Sequence, residues 1–129
     1  MLLWGSNARA AHPIYFHHVL KGIRNGASMF AVDPRYTDSA KFADAWLGLN
    51  VGTDIALANA IAREIIVSGL YDEEFISRST SGFAEFAEHV DAYDLAYAER
   101  VTGVDAGVIR ETAHRYATAK TAQILWTLG

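Results

Sequence analysis

The stretch MLLWGSNARAAHP, Met1 to Pro13, decides the fold of this chain. Leu2, Leu3 and Trp4 form a short apolar run without charge. Gly5-Ser6-Asn7 interrupts it, and a helical pattern follows. An apolar strand that stops on glycine and small polar residues before a helix is the opening of a parallel α/β unit. The chain turns tightly at Gly5, and the next helix points its N-terminus at the turn. Free N–H groups and the positive end of the helix dipole gather there and favour an anionic ligand.

Working outward from this turn, Ala11 to Asn25 reads as a helix. Ile14, Tyr15, His18, Val19, Gly22 and Ile23 share one face at helical spacing. Pro13 sits in its first turn, where the missing N–H costs nothing, and Asn25-Gly26 closes it. Ser28 to Val32 is a continuous apolar run, hence a buried parallel strand, stopping at Asp33-Pro34-Arg35. Thr37 to Asp44 holds a short helix, and Ala45 to Leu49 a third strand. Thr53 or Asp54 caps a helix that runs to about Ser68. Its apolar positions, Ile55 to Ile66, cover more than half the circumference. From Tyr71 the chain is helical, in segments over 72–77, 83–89, 93–100 and 105–119, before a last strand over 122–126 and a final glycine.

This order predicts a three-layer αβα fold with a mostly parallel, Rossmann-like sheet and a helical insertion in the C-terminal half, about 71–119. At 129 residues the expectation is one domain, 1–129. Hydrophobic residues make up 51% and exclude a disordered chain. A net charge of −4 gives no affinity for a nucleic-acid backbone. No apolar run approaches the roughly 20 residues of a membrane span. There is no cysteine, so disulfides, thiolate metal ligands and a cysteine nucleophile are excluded from these residues. Because the chain starts inside a strand and ends on a strand-then-glycine signal, a piece of a larger protein is expected.

In an open parallel sheet, ligands bind beyond the carboxyl ends of the strands. Those ends read Gly5-Ser6-Asn7, Asp33-Pro34-Arg35-Tyr36-Thr37 and Gly52-Thr53-Asp54. A carboxylate after the second strand commonly accepts both hydroxyls of a ribose, which suits Asp33. Arg35 can stack on a base or meet a phosphate. Asp54 can accept N–H donors from a guanine edge. Each has a plain structural alternative: Asp33-Pro34 opens turns, Asp54 caps a helix, and Arg35 is a solvated charge. The first turn lacks Gly-x-Gly-x-x-Gly, which disfavours a nicotinamide dinucleotide. His17 and His18 point about 100° apart, and Glu111–His114 is a lone i, i+3 pair, so no histidine metal site is expected. His12, near the first turn, is the histidine linked to the ligand.

LLWGSN, AHP, VDPRYT, ADAWLGLNVGTDIALANAIA, GLYDEEFI and GVDAGVIRETAHRYATAKTAQILWTLG occur in this order. They are spread along the chain, which over essentially all of its 129 residues resembles the molybdopterin oxidoreductase family, formate dehydrogenase catalytic subunits in particular. The resemblance implies a domain that grips a molybdopterin guanine dinucleotide carrying molybdenum or tungsten, two such dinucleotides holding the metal in the full enzyme. By that resemblance Trp4, Gly5, Ser6 and Asn7 line the dinucleotide with His12 behind them. Asp33, Pro34, Arg35 and Thr37 surround the guanosine, and Gly52, Thr53 and Asp54 read the guanine edge. No catalytic and no metal-ligating residue falls within these residues. The sequence departs from the family where proline and arginine more often precede Gly-Thr-Asp; here it reads Leu47-Gly48-Leu49-Asn50-Val51, which predicts a looser loop.

The implied activity is oxidation of formate to CO2 by the full-length enzyme, the 129 residues alone being inactive. A 4Fe-4S cluster, the metal's own ligand and the remaining domains are expected in other parts of that subunit, with electron-transfer subunits as further partners. A cytoplasmic location is expected over a periplasmic one. A stand-alone nucleotide-binding module without redox chemistry and a nitrate reductase-like member of the same family are the alternatives.

Overall fold

A computed structural model describes residues 1–126; the last three residues of the expected terminal strand-and-glycine signal, 127–129, lie outside that range. The chain divides into two compact units, Met1–Leu49 with Thr121–Gly129, and Asn50–Lys120.

The first unit holds the sheet. Strands β1 (Leu2–Trp4), β2 (Phe30–Val32), β3 (Ala45–Leu47) and β4 (Ile124–Trp126) lie in the order β3-β2-β1-β4. Every pairing is parallel, with Trp4 opposite Val32 and Trp126, and Val32 opposite Leu47. The mixed α/β fold with a parallel sheet expected from the sequence is therefore present. β2 is buried on both faces, as its unbroken apolar run requires. β1 has the length expected, and β2, β3 and β4 are shorter than expected. Met29 N–H donates to the Asp44 carboxylate at 2.8 Å rather than joining the ladder, and Leu49 N–H turns back to Leu47 O at 3.0 Å, which ends β3.

The first helix is two helices. α1 (Ala8–Ala11) is a single turn, and α2 (Pro13–Arg24) begins after a break at His12, whose φ of −136° and ψ of 62° are not helical. Proline clashes with a helical residue before it, so the break is imposed by Pro13. Pro13 itself occupies the first helical position, as expected. The buried face of α2 is Phe16 and Val19, assisted by Leu20 and Ile23, against Leu3, Met29 and Ala8. Ile14, expected on that face, is 80% exposed. The helix expected over Thr37–Asp44 is a 3₁₀ turn, Ala40–Phe42.

The second unit is helical: α3 (Asp54–Val67), α4 (Glu73–Ser79), α5 (Phe83–Val90), α6 (Leu95–Thr102) and α7 (Ala106–Ala117). α3 is its hub, touching α5, α6 and α7. Leu57, Ala60 and Ile61 of α3 are buried, as are Val90, Ala98, Ile109 and Ala113 of its neighbours. The apolar wrap expected for α3 is interrupted: Ile55 is 72% exposed, whereas Glu64 is buried. Three of these helices start on an aspartate that accepts an N–H three residues on: Asp72 from Phe75, Asp94 from Tyr97 and Asp105 from Val108. Among the described residues, no helix is long and apolar enough to cross a membrane.

Candidate functional site at the strand ends

Gly5 turns the chain out of β1 with φ +58°, a left-handed conformation that a residue with a side chain adopts only at a cost. Its N–H donates to Val32 O at 2.7 Å, so the carboxyl ends of β1 and β2 meet. Beyond it, Ser39 ties the two strand ends together. Its hydroxyl donates to Asn7 Oδ1 at 3.0 Å and accepts Arg9 N–H at 2.9 Å, with Ser39 fully buried. The backbone N–H groups of Ser6, Asn7 and Ala8 have no acceptor among the described residues. The one-turn α1 carries little dipole, so these three N–H groups rather than a helix end are what this turn offers an anion.

Asp33 follows β2 and is only 4% exposed. Its Oδ1 accepts Arg35 N–H at 2.8 Å, closing an Asx turn, with the Arg35 guanidinium Nε 3.5 Å away. The structural alternative for Asp33 therefore holds for one oxygen. Oδ2 has no partner among the described residues, yet no side-chain oxygen there is both sealed from solvent and unpaired. Oδ2 is thus open at the strand end. Arg35 itself is 77% exposed along its side chain. Thr37 is buried, and its Oγ1 accepts Ala40 N–H at 3.3 Å, which supports the 3₁₀ turn. Asp38 is a committed surface partner: its hydrogen bond to the Lys41 ammonium, at 2.6 Å, and that positive charge hold its carboxyl below the usual range. Trp4 is partly buried, and Pro34 and His12 are exposed.

Gly52, Thr53 and Asp54 open the second unit. Gly52 has φ +84°. Thr53 occupies the N-cap position of α3, but its hydroxyl donates to Asn50 O at 2.7 Å instead of accepting from the helix. Asp54 is the first helical residue and is exposed. The looser loop expected from the missing prolines is not found. Asn50 N–H donates to Thr102 O at 2.8 Å, and its side-chain amide to Val101 O at 3.1 Å, pinning the loop to the end of α6.

Three residues assigned no role from sequence stand at these strand ends. Trp46 Nε1 donates to Asp33 O at 2.8 Å. Tyr36 meets the indole edge-on at 5.1 Å. Ser39 joins Asn7 across 32 residues of sequence.

The second unit contains one group that resembles hydrolytic machinery. Ser68 Oγ lies 3.2 Å and Glu64 Oε1 3.0 Å from the same histidine nitrogen, His114 Nε2. A nucleophile–base–acid relay needs the two on opposite ring nitrogens. The group is instead a clip between α3 and α7 that, with Arg110 at 3.4 Å, compensates buried Glu64. An apolar hollow of about 350 Å³ under Ile65, Tyr71, Phe83 and Phe86 has no charged lining. Among the described residues, no three His, Asp or Glu side chains converge to hold a metal.

A parallel α/β chain with a glycine turn and an open carboxylate at adjoining strand ends belongs to the class of open-sheet α/β domains, in which ligands, where bound, sit beyond the carboxyl ends of the strands. Its family follows from comparison. The molybdopterin oxidoreductase model matches residues 1–125, and the chain belongs to that family. It is 41% identical over 129 residues to formate dehydrogenase H of Escherichia coli strain K12, covering all of this chain and 18% of that protein. It is 37% identical over 127 residues to the assimilatory nitrate reductase catalytic subunit of Bacillus subtilis strain 168, covering 98% of this chain and 18% of that protein. Among solved structures, acetylene hydratase from Pelobacter acetylenicus superposes with a TM-score of 0.92 at 37% identity, covering 98% of this chain and 18% of that one. The chain thus spans about a fifth of the length of the curated relatives it matches. Membership implies a molybdopterin cofactor with molybdenum or tungsten in an oxidoreductase.

Proposed function

We propose that these residues hold the guanosine end of a molybdopterin guanine dinucleotide inside a larger oxidoreductase subunit, a formate dehydrogenase by our reading. One observation carries the binding role: Asp33, almost wholly buried, keeps Oδ2 open beside the Gly5 turn. A ribose diol needs such an acceptor, and a nucleotide's phosphates suit the three N–H groups of Ser6, Asn7 and Ala8. Trp4 and His12 flank that turn, and Pro34, Arg35 and Thr37 shape the loop after Asp33. By the family resemblance, Gly52 and Thr53 lead into Asp54, whose carboxylate reads the guanine edge.

When bound, the pterin supplies the metal and its electron-accepting chemistry. The residues here bind and orient. The absence of cysteine assigns iron–sulfur ligation to other parts of such an enzyme. Identity to the formate dehydrogenase, 41%, favours that substrate over nitrate, at 37%. The same domain in an enzyme named acetylene hydratase favours a shared cofactor grip over a substrate-choosing role.

Guanine nucleotides should bind more tightly than adenine nucleotides. Asp54 can accept from guanine N1–H and N2–H, whereas that edge of adenine offers no such pair of donors. A lost hydrogen bond to a charged group costs about 1.5–3 kcal/mol, so GDP should outbind ADP roughly tenfold or more. Calorimetry on the complete polypeptide carrying these residues, freed of cofactor, measures this. Equal affinities would overturn the Asp54 assignment.

A further inference from the structure

We propose that Trp46 is a positioning residue for the nucleoside site, fixing the Asp33 peptide and thereby the direction of its open carboxylate oxygen. This rests on the nucleotide reading above. Trp46 lies in β3 and is 41% exposed, so burial alone does not account for it. Its indole N–H donates at 2.8 Å to Asp33 O, while Asp33 N–H donates to Leu47 O at 3.3 Å. Both peptide groups of Asp33 are thus held by β3. Oδ1 is held in turn by Arg35 N–H. With three attachments made, Oδ2 keeps one direction.

The indole is itself held. The Tyr36 ring meets it at 68° and 5.1 Å. A Cβ at Gly48 would stand 2.6 Å from the indole Cζ2 and 2.7 Å from its Cη2. Gly48 has no left-handed φ. Its missing side chain therefore serves the indole and not the backbone. Trp46, Gly48 and Tyr36 form one brace whose output is the orientation of Asp33.

The test compares GDP with 2′,3′-dideoxy-GDP by calorimetry, using the complete polypeptide freed of cofactor. The wild type should prefer GDP by roughly tenfold or more, the worth of the diol's bonds to a carboxylate. Trp46→Phe keeps an aromatic ring and removes the donor. It should cut that preference to about threefold or less while dideoxy-GDP affinity stays unchanged. A residue needed only for folding would weaken both ligands alike. Gly48→Ala leaves Trp46 in the sequence but displaces its ring, and should give the same loss. The double variant should lose no more than either single one, because both act on one contact. Trp46→Phe and Gly48→Ala that keep the wild-type preference would overturn the positioning role alone. A wild type without preference, or Asp33→Asn that retains it, would overturn the nucleotide reading and the positioning role with it.

Discussion

Asp33 divides its labour between its two carboxylate oxygens, and substitutions can separate them. Read from sequence, it accepts a ribose or opens a turn. Its burial and the Arg35 bond to Oδ1 make truncation dearer. Asp33→Ala should lower stability by about 1–3 kcal/mol, the range for truncating a buried side chain that holds a hydrogen bond. Asp33→Asn can keep an oxygen on Arg35 N–H and turn its amide outward. Its stability, measured by urea denaturation, should stay within about 1 kcal/mol of wild type, while GDP affinity falls roughly tenfold. Unchanged GDP affinity in Asp33→Asn would remove Asp33 from the site. Asp33 was legible because an acidic residue directly ends an apolar run. Ser39 and Trp46 were not. Ser39 reaches Asn7 only once β1 has paired with β2, and Trp46 reaches Asp33 only once β2 has paired with β3; no local pattern encodes either pairing.

At the scale of elements, the existence of the helices was more legible than their caps. The cap expected at Thr53 or Asp54 makes no side-chain bond to α3, whereas the aspartates before α4, α6 and α7, to which no capping role was assigned from sequence, each accept an N–H three residues on. Asp94→Ala should cost about 1 kcal/mol in chemical denaturation, and Asp94→Asn only a fraction of that. If both cost the same, the cap contributes nothing beyond its charge. The break at His12 was missed because Pro13 suits a first helical turn and the apolar pattern runs through it. The restriction that proline places on its predecessor was the overriding term. Buried Glu64 in α3 was hidden for another reason. A carboxylate on an apolar face reads as an exception until His114, fifty residues on, arrives to accompany it.

At the scale of the whole chain, the α/β alternation and the parallel order followed from the run of strand and helix signals. The division into units did not. Sheet residues Met1–Leu49 and those from Thr121 on form one unit, with the contiguous Asn50–Lys120 as the other. Periodicity reports which face of an element is apolar, not which distant element will cover it. The division has a kinetic signature. Pulse-labelled hydrogen exchange during refolding should protect amides of α3 and α7 before those of β4, since α3 meets α7 across the 50 residues from Glu64 to His114, whereas Ile124 of β4 pairs with Leu2, more than twice as far along the chain. Simultaneous protection would mean one cooperative unit instead.

Strand β1 takes β2 as one neighbour and β4 as the other, and Leu2 stands opposite Ile124. A ribosome making this chain delivers β1 first and its second neighbour more than a hundred residues later. At about 5–20 residues per second that interval lasts roughly 6–24 seconds. Throughout it, an apolar strand with one bare edge is a template for another nascent chain. A message broken or a ribosome stalled after Lys120 would leave that edge open for good, and such truncated products should be aggregation-prone from their first strand rather than from their severed end.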